Sequence, residues 1–173
     1  ITNDIAMALR TPTREAEDIK CRYGCALSQL ADAAQSVEVA GVDDRPSRKL
    51  SRRALSDVIQ PRVEELYELI QNELRRAGFE EVLSSGIVLT GGASVMPGML
   101  ELGEELFHMP VRLGNPKYTG SLADVVQSPR YATAVGLLLD GREQFQRTRQ
   151  TRAATPGLQG VVERMKLWIK ANF

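Results

Sequence analysis

The stretch from Ser84 to Pro116, "SSGIVLTGGASVMPGMLELGEELFHMPVRLGNP", narrows the fold more than any other. An apolar run of strand length, Ile87 to Thr90, is followed by a Gly-Gly turn and then by a helix-like segment expected to start near Pro97. "MPVRLGNP" reads as a second strand. "SPRYATAVGLLLDG" reads as a second helix, with Pro129 in its first turn and Ala132, Ala134 and Gly136 as small packing residues. Strand, helix, strand, helix in this order predicts an α/β layer with parallel crossovers and a mixed sheet flanked by helices.

The preceding half has a different texture. "TPTREAEDIKCRYGCAL" has a Thr-Pro start and early acids, as a helix amino terminus prefers, with Ala16, Ile19, Tyr23 and Ala26 on one face. "QSVEVAGV" alternates as a strand does. The basic block "RPSRKLSRR" follows, as a turn or short strand leading into a long helix. That helix carries Val63, Leu66, Ile70, Leu74 and Ala77 at helical spacing, is expected to kink or restart at Pro61, and is expected to stop at Gly78. A lobe boundary is expected within residues 80–86. The resulting layout is 1–12 as the start of the core lobe, 13–82 as a small lobe and 83–141 as the core α/β lobe. Residues 142–160 are a polar, flexible linker and 161–173 a terminal helix.

Composition removes several functions. Basic and acidic residues balance at 22 each, so nothing in the overall charge draws the chain to nucleic acid. No stretch approaches the roughly 20 apolar residues of a spanning helix. Cys21, Cys25 and the single His108 do not make a four-ligand metal set, and both cysteines read as small core residues in a reducing cytoplasm. The pattern is already periodic at "ITNDIAMAL", without an initiator methionine, so the chain is expected to be part of something longer.

Three places carry candidate chemistry. At the glycine turn, Gly91 and Gly92 sit at the carboxyl end of a strand, where ligands of α/β sheets gather. The next helix is expected to aim its free N–H groups at the same spot, which favours phosphate. Neither a G-x-G-x-x-G nor a P-loop pattern is present, and a bare Gly-Gly turn also serves as a tight connection. In "AEDIK", Glu17 and Lys20 lie one helical turn apart and project from one face, as an exposed ion pair or as a ligand-binding pair. The third place is the end, "VVERMKLWIKANF". Placed on a helix, Val161, Val162, Met165, Trp168, Ile169 and Phe173 fall within an arc of about 140°. Lys166 and Lys170 flank one edge and Arg164 the other, while Leu167 is out of register and Asn172 intrudes. Such a segment either lies in a membrane interface or docks on its own domain.

The glycine stretch resembles the adenosine loop of the actin, sugar-kinase and Hsp70 superfamily. With "TNDIAMALRTPTREAEDIK", "VIQPRVEEL" and "SPRYATAVGLL", the whole chain resembles the carboxyl-terminal part of the FtsA family of bacterial cell-division proteins. The resemblance implies the second half of an actin/Hsp70-like (ribonuclease H-like) fold, with a glycine-rich phosphate loop and a first domain lying before Ile1. It implies ATP, with Mg²⁺ in the intact protein, met by Glu17, Lys20, Gly91, Gly92, Ala93 and Met96. It assigns no catalytic residue here and at most a slow ATPase to the intact protein. The terminal helix would be a membrane anchor through Met165, Lys166, Leu167, Trp168, Ile169, Lys170 and Phe173. The first half would take the acidic carboxyl-terminal peptide of FtsZ, with Arg52, Arg53 and Arg62 as its cations; these arginines also suit a solvated face or a neighbouring subunit. Self-association, anionic lipid and other division proteins complete the implied partners. The implied location is the cytoplasmic face of the inner membrane at the septum. A small-molecule kinase of the superfamily, or an actin-like adaptor of pilus or secretion machinery, are the competing readings.

Overall fold

The computed structural model describes residues 1–41, 46–79, 82–118, 120–153 and 165–170. It divides into two units, Ile1–Ala132 and Thr133–Phe173. In the first, α1 (Thr2–Leu9) and α2 (Thr13–Tyr23) are followed by β1 (Ser36–Val39) and β2 (Arg48–Ser51), which pair antiparallel. Burial along β1 alternates, with Val37 and Val39 buried and their neighbours exposed, as the sequence pattern demands. Within the basic block, residues 48–51 form β2, which runs straight into α3 (Arg52–Arg76), whose first turn is capped by Ser51 Oγ accepting from the Ala54 N–H at 3.2 Å.

Helix α3 is continuous through Pro61 over 25 residues and does not restart there. Proline costs one intrahelical hydrogen bond, but Leu55, Ser56 and Ile59 on one side of it and Val63 and Tyr67 on the other enter the same core. Burial on both sides holds the two halves in one helix. That face also corrects the expected one. Leu66 is 45% exposed and Ile70 37%, because Tyr67, one residue away from Leu66, turns inward. Its hydroxyl donates to the Met99 carbonyl at 2.9 Å and its ring lies 5.1 Å from that of Phe107. The helix ends at Arg76, and Gly78 takes a left-handed φ of 72° just beyond.

β3 (Ile87–Leu89) and β4 (Val111–Leu113) pair in parallel across the crossover helix α4 (Met99–Phe107). The mixed character expected of one sheet is thus divided between two pairs, one antiparallel and one parallel. Apolar throughout, β3 is nonetheless covered unevenly: Val88 is 47% exposed while Ile87 and Leu89 pack on the core. With α4 and its neighbours covering one side, the residue pointing the other way is only half covered. One hydrophobic cluster runs from Ile5, Ile19 and Val37 through Ile59 and Tyr67 to Leu102, Phe107 and Val111, and so crosses the boundary anticipated within 80–86.

A short helix α5 (Ala123–Val126) and a 3-10 turn (Pro129–Tyr131) lead to α6 (Ala132–Ala153). Residues 142–153, anticipated as linker, continue this helix; Arg147 pairs with Glu143 and Gln144 with Asp140, each one turn apart. Such pairs support a helix that lacks an apolar stripe. Ala134 and Gly136, read as packing residues, are exposed. Residues 154–164 of the anticipated linker and tail, and 171–173, lie outside the described residues.

Candidate functional site

Glu17 and Lys20 project from the same side of α2, as three-residue spacing requires, and Lys20 Nζ donates to Glu17 Oε2 at 2.6 Å. A third group joins them from α1. The Thr2 hydroxyl donates to the same carboxylate oxygen at 2.5 Å and accepts from Lys20 Nζ at 3.0 Å. The lysine, then the hydroxyl, hold the Glu17 carboxyl down at about 2. Glu17 Oε1 faces the Cys21 thiol at 3.5 Å. Desolvation, and next the adjoining carboxylate, push that thiol up, so it is a neutral donor here. Cys21 is exposed, which corrects its reading as a core residue; it follows Glu17 by one turn on the polar face, while Cys25, beyond the end of the helix, is buried.

The turn after β3 closes the site from the opposite side. Gly91 has a φ of 92°, a backbone state open to glycine at little cost. Its carbonyl accepts from the Ser94 hydroxyl at 2.7 Å, and its N–H donates to the Pro129 carbonyl at 3.1 Å. The second bond brings in the 3-10 turn carrying Arg130. Between these walls lies a cavity of about 430 Å³, bounded by Glu17, Lys20 and Cys21 on α2, by Gly92, Ala93 and Met96 on the glycine turn, and by Arg130. Gly24 belongs to its lining: a Cβ there would stand 2.4 Å from the Lys20 carbonyl oxygen and 3.3 Å from Met96 Sδ.

Five of the six residues anticipated around a nucleotide therefore surround one cavity, and Gly91 shapes the turn beside it without lining it. The helix after the glycines departs from expectation. Pro97 and the left-handed Gly98, φ 84°, delay α4 until Met99, and a 3-10 turn at Ala93–Val95 stands in between. No residue of α4 lines the cavity, so its amino terminus is not a wall of the site. Thr2, Cys21, Gly24 and Arg130 were not anticipated. For Cys21 the spacing from Glu17 was a usable signal; Arg130 is brought near by long-range packing on the glycine turn, including the Gly91–Pro129 bond, which no local spacing announces. Arg130 has no hydrogen-bond or ion-pair partner among the described residues. Two cations, one carboxylate and an apolar wall in one cavity can accept a ligand that is anionic at one end and flat and apolar at the other.

The three arginines proposed for a partner are not brought together. Arg52 donates through Nε to the Tyr23 carbonyl at 2.9 Å and through a terminal nitrogen to Gln35 at 3.3 Å. Arg53 is exposed. Nine residues separate it from Arg62, which puts the two on opposite sides of α3, about 180° apart. Arg62 forks onto Asp4 at 2.9 and 2.7 Å and also bonds Glu65. Its guanidinium, the largest influence on the Asp4 carboxyl, holds that group far below the ordinary range. Of the anticipated anchor, residues 165–170 are helical, with Met165, Leu167, Trp168 and Ile169 each at least half exposed. Val161, Val162, Arg164 and Phe173 lie outside the described residues. No described helix is long and apolar enough to cross a membrane.

Comparison with known proteins gives this arrangement its family. The family described as cell division protein FtsA matches residues 1–136. The chain is 50% identical to cell division protein FtsA of Pseudomonas aeruginosa and 39% identical to that of Escherichia coli K12, matching over its whole length and spanning 43% of each. Among solved structures, MreB 5 of Spiroplasma citri bound to AMPPNP is similar with a TM-score of 0.67 at 15% identity, over 87% of this chain and 45% of that one. That likeness gives the fold, an actin-like α/β architecture. By sequence, the chain belongs to the family of cell division protein FtsA.

Proposed function

We propose that this chain is the adenosine-side and membrane-proximal part of an ATP-binding, actin-like adaptor that tethers the FtsZ ring to the cytoplasmic membrane during bacterial division. The observation that carries the reading is the cavity joining the Glu17–Lys20 pair to the glycine turn and Arg130. A carboxylate accepts from ribose hydroxyls, while an ammonium and a guanidinium answer phosphate or the polar edge of a base. Gly92, Ala93 and Met96 offer a surface on which a base rests, and Gly91 shapes their turn. Mg²⁺ and the groups that orient a hydrolytic water would come from the rest of the full-length protein, so turnover by the residues present here is not part of the proposal. The relative crystallised with AMPPNP lends the ligand class.

In this reading residues 13–82 are the partner-binding lobe, 83–141 the core nucleotide lobe and 161–173 the membrane anchor. Exposed Met165, Leu167, Trp168 and Ile169 beside Lys166 and Lys170 support the anchor, with Phe173 extending it. Each cation near an anionic leaflet contributes about 1 kcal/mol, and ordering a short helix offsets part of the apolar gain. One tail then binds weakly, and several on a polymer gain roughly 10²- to 10⁴-fold by effective concentration. Arg62, midway along α3, meets the acidic FtsZ tail, with Arg52 and Arg53 at the helix's amino end. Self-assembly, other division proteins and a septal location on the inner membrane complete the proposal.

The test uses the full-length protein with vesicles. Trp168 emission should shift to the blue with anionic vesicles and stay put with neutral ones, and deletion of residues 161–173 should abolish co-sedimentation. Equal sedimentation of the truncated form removes the anchor. A fluorescent ATP analogue that binds wild type and a Lys20→Met variant equally removes the nucleotide assignment.

A further inference from the structure

Arg62, on which the peptide-docking reading rests, is already occupied by the chain's own carboxylates. A guanidinium offers five N–H donors. Here Nε and one terminal nitrogen fork onto the two oxygens of Asp4, and the other terminal nitrogen bonds Glu65. Glu65 is three residues along the same helix, so it moves with Arg62 and orients it. Asp4 comes from a different element, α1, and its side chain is 19% exposed against 45% for Arg62. These three residues, with Val58 and Pro61, line a second cavity of about 180 Å³. An apolar floor thus adjoins a bidentate carboxylate site that an internal carboxylate already fills.

We propose that Asp4 is an internal stand-in for the ligand: an acidic peptide docks by displacing Asp4 from Arg62. The incoming carboxylate takes over the forked geometry, which a single point charge does not reproduce. A neighbouring apolar side chain of the peptide rests on Val58 and Pro61. The ligand class is therefore an acidic residue next to a large apolar one. Its affinity is the difference between its own bond to Arg62 and the one Asp4 gives up. Like charge sharpens the exchange, since Asp4 and the arriving carboxylate repel when both crowd one guanidinium. The inference deepens the docking reading and stands only if that reading does.

The experiment measures anisotropy of a labelled FtsZ carboxyl-terminal peptide, and of the same peptide with its acidic side chains amidated, against the full-length protein. Asp4→Asn should tighten binding of the acidic peptide about three- to tenfold and leave the amidated one unchanged. Arg62→Ala should weaken the acidic peptide at least as much in either background. Should Asn loosen α1, visible as a lowered melting temperature, Asp4→Ser supplies a second uncharged side chain for the same reading. If wild type and the Asp4 variants bind alike while Arg62→Ala loses binding, displacement is wrong and docking at Arg62 survives. If Arg62→Ala also binds as wild type does, docking at Arg62 falls and the inference with it.

Discussion

Two ionic clusters grip α1, and they differ in how much of their bonding capacity is spent. At Thr2, the Glu17 carboxylate takes a lysine and a hydroxyl on one oxygen and a weakly donating thiol on the other, while Arg130 across the cavity has no described partner. At Asp4, two carboxylates use the Arg62 guanidinium on three nitrogens. The first cluster has donors and acceptors left over and a cavity of about 430 Å³ to receive them; the second, with about 180 Å³, has already satisfied itself. On the proposed readings, a ligand would enter the first by filling and the second by exchange. Charge composition does not distinguish the two, because each mixes cations and carboxylates.

The contrast can be broken most forcefully at Arg130. Reversing this cation, Arg130→Glu, should weaken a fluorescent ATP analogue about 100-fold, the worth of one or two charge-assisted bonds. Acidic-peptide affinity should be unchanged, since Arg130 is on neither α1 nor α3. A smaller effect belongs to Lys20→Met, which keeps the stem and removes the ammonium; about tenfold weaker nucleotide binding is expected in the same titration. The smallest is a change in the acid limb of stability. The charged form of Glu17 is favoured in the folded state, where its carboxyl lies at about 2 rather than 4.5. Its contribution is complete above about pH 4.5 and fades as pH falls toward 2. Thr2→Val removes the second largest of the hydrogen bonds responsible, after that of Lys20, and acid unfolding followed by circular dichroism should begin at slightly higher pH. An identical acid limb in wild type and variant makes the Thr2 hydroxyl a bystander.

What could be read in advance follows from how local each cause is. Glu17 and Lys20 declare themselves by spacing, and the alternation of "QSVEVAGV" gives β1 directly. The glycine turn was legible as a turn and, through the family resemblance, as a wall of a binding site; the structure has it beside a cavity. Its connection to Arg130 was not legible, because packing between residues distant in sequence creates it. The buried face of α3 was drawn through Leu66 and Ile70 because aliphatic residues weigh most in a periodicity count. The helix instead turns Tyr67 inward, where its hydroxyl finds the Met99 carbonyl. Residues 142–153 looked unstructured because they lack an apolar stripe, yet charged and polar pairs one turn apart accompany a helix there. Pro61 was given the power to interrupt a helix that a shared core holds together from both sides. Cys21 was assigned inward by residue type, when its register with Glu17 already pointed it toward the polar face.

Thr2 and Asp4 stand two positions apart on a helix of eight residues. Both sit in its first turn, next to Ile5, which is buried in the core, so losses at the two positions should not sum as independent ones do. The pair should behave as one joint with two latches in a double-mutant cycle.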